Sequence, residues 1–296
     1  VRDCAKRLNY KPNIMASNLR TCKNTTIGIV LPEVNHHFFA SVLDGIEQTA
    51  NEAGYNIIIC QTGENVEKEV QSIQTLMGSR VAGILAGISK QTCTFQHLQE
   101  VINADIPLVL YDRPCPSLPC DQVVSDDYLG AFKAVEYLIQ TGCQRIMYFS
   151  SPMQLEVAHR RYQGWRDALQ RYNMPIDDSM IVTCDSRAQA IIETPMVLKR
   201  DDKPDAIFCV NDDCASGVLY AAQILGLKIP EELAICGFSN APLCRNTFPM
   251  LTTVEQHGVE IGKHAIIRLL KRLSGDERIA QTEMIATDLI VRETTK

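Results

Sequence analysis

No stretch of the 296 residues reaches the ~18 consecutive apolar positions that a membrane-crossing helix needs. The longest apolar runs, 27–31 and 206–210, have the length of strands. The twelve cysteines contain no C-x-x-C pair, and the closest pairs, Cys115/Cys120 and Cys209/Cys214, leave four residues between them. In a chain this long that is no disulfide framework, and so many unpaired thiols imply a reducing compartment, the cytoplasm. Neither G-x-x-x-x-G-K-[ST] nor G-x-G-x-x-G occurs, which leaves nucleotide enzymes unsupported. There is no internal repeat, no low-complexity tract and no secretory leader; the sequence opens at Val1 inside a helix-like stretch, as expected of a fragment that continues upstream.

What is present is ordinary globular composition, 46% hydrophobic and 22% charged, at a length that suits two lobes. The charge is uneven. Residues 1–24 hold Arg2, Lys6, Arg7, Lys11, Arg20 and Lys23 against Asp3, a net of +5, so the other 272 carry −11 to give the −6 of the whole chain. A basic head on an acidic body points to a head that alone approaches an anionic polymer, unless it is only a solvated helix face.

From residue 25 onward, β-rich apolar runs alternate with helical stretches. Strands are expected at 26–31, 56–60, 83–86, 108–111, 122–125, 145–150, 181–183, 206–210, 233–237 and 252–255. Helices are expected at 38–53, 66–77, 128–141, 160–172, 212–225 and 258–273. This βαβ order predicts an α/β protein with parallel sheets of five or six strands, two in number, and a seam near Ser125-Asp126-Asp127. In the head, Pro12 breaks a first helix and 14–20 forms a second with Asn13 as N-cap, too short to persist without a partner.

Ligands of open parallel sheets bind beyond the carboxyl ends of the strands. Here those ends run into Asn35-His36-His37-Phe38-Phe39, Asp112-Arg113, Arg160-Arg161, Asn211-Asp212-Asp213, Ser239-Asn240 and Gln256-His257. Carboxylates, amides, guanidinium forks and aromatic faces suit a small polyhydroxylated ligand.

The same residues carry a resemblance to the lactose/galactose repressor family of bacterial transcription regulators. It runs from Leu8-Asn9-Tyr10-Lys11-Pro12-Asn13 through Ala16-Ser17-Asn18-Leu19-Arg20, Thr26-Ile27-Gly28-Ile29-Val30, Asp112-Arg113, Arg161-Tyr162-Gln163-Gly164-Trp165, Asn211-Asp212 and Gly237-Phe238 to Leu251-Thr252-Thr253-Val254. The resemblance implies two Rossmann-like lobes joined by three crossover strands, as in periplasmic binding proteins of type I. It implies a helix-turn-helix remnant and hinge helix over 1–24, a first lobe over 25–124 plus 257–286, and a second over 126–255 plus 288–296. It also implies a homodimer on near-palindromic operator DNA once the full-length protein is present, a small-molecule effector (a sugar, sugar acid or sugar phosphate), and no cofactor, metal or membrane. On the DNA side, the resemblance makes Leu19 the minor-groove wedge, with Asn13 and Ala16 on the same face, Tyr10 near phosphates and Arg20 a phosphate contact. Leu19 packing only on its dimer mate is the plain alternative.

For the effector, the resemblance assigns Asn35, Phe38, Phe39, Asp112, Arg161, Asn211, Ser239 and Gln256. Asp112 accepts hydroxyls or merely pairs with Arg113; one of Phe38 and Phe39 belongs to the core; Trp165, on a helix, reads as core. Ser239 departs from the family, which usually has Asp after the Gly-aromatic pair, so Asn240 substitutes or the effector lacks the matching group. His36-His37 with Arg160 and Arg161 favours an acidic effector, unless the pair is an exposed loop. Gly237-Phe238-Ser239-Asn240-Ala241 only faintly echoes a hydrolase elbow and does not support an enzyme. A periplasmic solute-binding protein is the rival reading; the basic head, absent leader and cysteines oppose it.

Overall fold

The computed structural model describes residues 24–296 and Arg7. Tyr10, Asn13, Ala16, Leu19 and Arg20 lie outside the described residues. Within them the chain alternates strands β1 (Thr26–Leu31), β2 (Asn56–Gln61), β3 (Gly83–Ala86), β4 (Leu108–Tyr111) and β5 (Asp121–Ser125) with helices α1 (His37–Glu52), α2 (Val66–Gly78) and α3 (Gln96–Asn103). Then follow α4 (Asp127–Gln140), β6 (Ile146–Ser150), α5 (Glu156–Arg171), β7 (Ile181–Thr183), α6 (Arg187–Leu198), β8 (Ala206–Cys209), α7 (Asp212–Ile224) and β9 (Ala234–Cys236). The chain closes with β10 (Thr253–Glu255), α8 (Gly258–Leu273), β11 (Thr282–Ile285) and β12 (Asp288–Ile290).

Two parallel sheets result, with orders β11-β5-β4-β3-β1-β2 and β7-β6-β8-β9. The inner strands β3, β4, β5, β6 and β8 are buried along their whole length, as expected where helices cover both faces. Edge strand β2 stays open, with none of its residues buried. An antiparallel ladder, Val254 opposite Leu289, joins β10 to β12, and a Cys236–Thr252 bridge hangs it on β9. The chain therefore crosses between the lobes three times, after Ser125, after Glu255 and after Ile285.

The amphipathic helices bury one stripe each. On α8 the stripe is Gly258, Ile261, Gly262, Ala265, Ile266 and Leu269, and on α1 it is Phe38, Phe39, Val42, Gly45, Ile46 and Ala50. Trp165 is fully buried, its indole N–H donating to the Ile146 carbonyl at 3.1 Å. Several boundaries differ from expectation. Helix α5 begins at Glu156, four residues before Arg160, and the expected strand 233–237 shortens to Ala234–Cys236. Helices α3 and α6 and strand β11 are additions to the expected elements, while β12 falls in the expected C-terminal segment of the second lobe; α6 carries Pro195 inside it, which the local pattern reads as a breaker.

Candidate functional site

The carboxyl ends of both parallel sheets open on one gap between the lobes. It holds a cavity of about 240 Å³, below the roughly 300–1,000 Å³ of drug-sized sites, so it suits a small ligand. Phe38, Phe39, Asp112, Arg161, Asn211, Ser239 and Gln256 all face it. Asp112 is the first residue after β4 and turns its backbone into the left-handed region (φ 69°), which aims the side chain off the sheet edge. Ser239 (φ 118°), Asn240 and His257 are left-handed as well, so unusual backbone gathers at this edge.

The hydrogen bonds sort these residues by task. Asp112 is 6% exposed, and its nearest charged neighbour, Arg113 Nε, stands 3.6 Å away, beyond hydrogen-bond reach. Arg113 is not free for it. Its guanidinium forks onto Glu64 at 2.7 and 2.8 Å and donates to the Ile88 carbonyl, leaving Nε buried and unpartnered. Arg161 is held by Asp127 (2.8 and 2.7 Å) and by the Val210 carbonyl, with its guanidinium 3.7 Å above the Phe238 ring. Nε and Nη1 are thus hydrogen-bonded to protein, while Nη2 stands 2.7 Å from the same Asp127 oxygen, so the guanidinium is fixed in place at the cavity wall. Asn211 caps α7 by accepting from the Cys214 N–H and donates to the Asp185 carbonyl, each at 2.8 Å. Gln256 accepts from Ser239 Oγ at 2.8 Å and donates to Ser125 Oγ at 3.1 Å, tying a crossover to both lobes.

Four expectations change. Asn35 and His37 line a neighbouring opening instead of the main cavity. Asn240 does not stand in for a missing Asp, because it bonds Glu255 and Arg292. Arg160 pairs with Glu156 away from the cavity. Phe38 and Phe39 do not divide into core and wall: both are 4% exposed, both pack in the first lobe's core, and both present an edge to the cavity. Sequence reasoning missed Glu64, Lys90 and Asp185, which line the cavity. They follow β2, β3 and β7 within a few residues, so the strand-end rule reaches them once those strands are included. Ser239 Oγ bonds Gln256 while His257 bonds Asp288 at 2.8 Å, so the faint hydrolase echo assembles no nucleophile–base pair. Among the described residues no three His, Cys, Asp or Glu side chains are placed to hold a metal ion.

The model of the periplasmic binding protein-like domain matches residues 135–295. The HTH-type transcriptional repressor PurR of Vibrio vulnificus is 32% identical over 100% of this chain and 89% of its own length. The chain belongs to the lactose/galactose repressor (LacI) family of transcription regulators. Among solved structures, CcpA of Lactococcus lactis superposes with a TM-score of 0.86 at 25% identity, covering 93% of this chain and 100% of that one. A LacI family regulator from Enterococcus faecium, solved with bound ribose, gives 0.82 at 25% identity, covering 91% of this chain and 98% of its own.

The electrostatics narrow what this family member's cleft accepts. Glu33, Glu64, Asp112, Asp185 and Asp213 line it against Lys90, Arg113 and Arg161. Every one of those cations already has a carboxylate partner: Lys90 with Asp185 at 2.8 Å, Arg113 with Glu64, Arg161 with Asp127. His36 adds no charge at neutral pH, since burial lowers its imidazole to about 4, helped by Lys90 and Arg113. Burial pushes the Asp112 carboxyl up to about 6, with Arg113 opposing and Asp127 reinforcing. His36 therefore does not make the cleft basic.

Proposed function

We propose that the cleft binds a small uncharged polyol, in the class of monosaccharides, and that its occupancy sets how a dimer of the chain grips operator DNA. The observation that carries this is Asp112: a buried carboxylate, facing the cavity, with no hydrogen-bond donor supplied by its charged neighbour. Burying an ionised group without donors is costly, and the hydroxyls of a ligand would supply them. Arg161 adds a guanidinium group to the lining, and Phe38 and Phe39 an apolar wall. Binding, with no catalytic step, is the work assigned to this site. An effector acts only by favouring one lobe arrangement over the other, and that arrangement sets the spacing of the segments that meet DNA. We assign those contacts to the head, with Leu19 as the wedge, on the resemblance to the family.

A thermal-shift series tests the ligand class. D-ribose or D-glucose at a hundredfold excess over Kd should raise the melting temperature by roughly 4–5 °C. Gluconate and glucose 6-phosphate should leave it unchanged. Stabilisation by the anions alone would overturn the reading.

The dimer is assigned to the outer face of α6 and α7. Ile192 and Met196 on α6, and Tyr220 and Ile224 on α7, form two i, i+4 apolar pairs on adjoining helices. Phe248, 86% exposed, lies beside them, its carbonyl accepting from Gln223. Exposed apolar side chains on two helices packed side by side suit an interaction site, and the same face on two copies suits a two-fold pair. Ile224→Asp should weaken the dimer by at least about a hundredfold in sedimentation equilibrium while the monomer stays folded. A variant that remains fully dimeric places the interface elsewhere.

A further inference from the structure

An ion pair joins the two lobes across the cleft, away from the crossover segments. Lys90 follows β3 of the six-stranded sheet, Asp185 follows β7 of the four-stranded one, and Lys90 Nζ meets Asp185 Oδ2 at 2.8 Å. Both ends are braced. The Lys90 backbone N–H donates to Glu64 Oε2 at 2.6 Å, and Glu64 is clamped by Arg113. Asp185 accepts from Ser151 Oγ at 3.2 Å, and its carbonyl accepts from the Asn211 amide. A continuous polar path thus runs from Arg113, next to Asp112, over the gap to Asn211.

We propose that Lys90 and Asp185 are the positioning pair that holds the lobes closed around the cleft. The inference rests on the cleft being the effector site, since closure there is what would retain a ligand. The physical case is one of location. The Lys90 side chain is 33% exposed and that of Asp185 16%, so the pair lies at the rim and opening the lobes returns both charges to water. Neither partner is then left as a buried unpaired charge, so losing the pair does not threaten folding. A rim pair is worth little to the stability of a compact fold. Here, however, each charge sits on a separate lobe, and the whole of its attraction acts on the open–closed equilibrium. That equilibrium is shifted by modest differences in free energy.

Small-angle X-ray scattering on the ligand-free chain at low salt reads the closure directly. Lys90→Asp and Asp185→Lys should each increase the radius of gyration, by a shift on the order of 1 Å, through charge repulsion at the rim. The double exchange Lys90→Asp with Asp185→Lys should restore the parent value, as no purely structural role would. Raising the salt to about 1 M, where the screening length falls to ~3 Å, should open the parent and leave Lys90→Met unmoved. Thermal melts confirm folding, and the neutral Lys90→Met stands in if a reversed variant fails to fold: it should be more open than the parent at low salt. Unchanged radii in folded single variants, or a double exchange that stays open, overturn the proposal. Since no ligand is used, this result is independent of the sugar series, whose failure appears as the absence of any stabilisation by neutral sugars.

Discussion

Asp112→Asn is expected to raise the melting temperature of the ligand-free protein and to weaken its response to effector. Asp112 is 6% exposed, and burial lifts its carboxyl to about 6 from an ordinary 3.8. A displacement of about two pKa units corresponds to a penalty on the order of 3 kcal/mol for carrying the charge at neutral pH. The amide removes that charge at nearly the same volume. It also suits the left-handed backbone at this position (φ 69°), which Asn tolerates better than most residues. A gain of about 1–3 kcal/mol, or several degrees, should follow in calorimetry. Effector affinity should move the other way. Hydrogen bonds to a charged acceptor contribute about 1.5–3 kcal/mol each; the amide replaces one acceptor oxygen by a donor and leaves the other neutral, so binding weakens by roughly a hundredfold. A variant that loses stability and keeps its affinity would make Asp112 a structural residue.

The sign of the pH dependence checks the cause. The Asp112 folded-state pKa lies above its unfolded value, so the fold prefers the neutral form. Its charge therefore destabilises fully above about pH 6, and this penalty fades as pH falls toward 3.8. The advantage of Asp112→Asn should be largest at pH 7 and vanish near pH 4 in denaturant titrations. His36 runs oppositely. Its folded pKa is lowered from 6.5 to about 4, so the stability of keeping it neutral is lost as pH falls through that interval. In the parent the two groups offset each other over their overlap. In the variant the His36 contribution stands exposed, and acid lability between pH 6 and 4 should steepen.

Much of the lobe architecture could be read from the chain because strands buried on both faces announce themselves. The runs at β1, β4, β6 and β8 are continuous apolar stretches bounded by helical periodicity. The strand-end rule then brought Asp112, Arg161, Asn211, Ser239 and Gln256 to one cavity. What local pattern could not carry was who pairs with whom. Arg161 is anchored by Asp127, 34 residues earlier, and Lys90 meets a carboxylate 95 residues later. The first partner depends on α4 packing against α5 and the second on two sheets facing each other, neither of which any window of sequence contains. The same cause hid the true balance of the cleft: counted along the chain, His36, Arg160 and Arg161 look cationic, while in space each is neutral, displaced or already paired. Helix α6 escaped because Pro195 breaks its pattern while tertiary packing against α7 retains it.

Gly262→Ala separates local preference from packing more sharply than any other single change. In a helix interior, alanine is favoured over glycine by about 1 kcal/mol. On that ground alone the variant should be more stable. But α8 crosses α1 with their backbones in contact: a Cβ on Gly262 would lie 2.0 Å from the Val42 carbonyl oxygen, and one on Gly45 would lie 2.1 Å from that of Val259. Carbonyl oxygens cannot rotate aside as a side-chain tip can, so the helices must part by an ångström or more to reach ordinary contact distance. Parting them loosens Val42, Ile46, Ile261 and Ile266 together, all fully or almost fully buried in the first lobe's core. We expect a loss of about 3 kcal/mol or more in urea titrations, at the upper end of overpacking costs. The disturbance should reach the cleft, because α1 carries Phe38 and Phe39 in its first turn. Gly78→Ala supplies the contrast. It ends α2 with nothing within 4 Å of an added Cβ, and should gain roughly 0.5–1 kcal/mol by the same helix preference. Opposite signs at the two glycines would establish that backbone-to-backbone contact, not helix propensity, fixes the seam that supports the cleft wall; a stable Gly262→Ala would show that α1 and α8 can separate without loss.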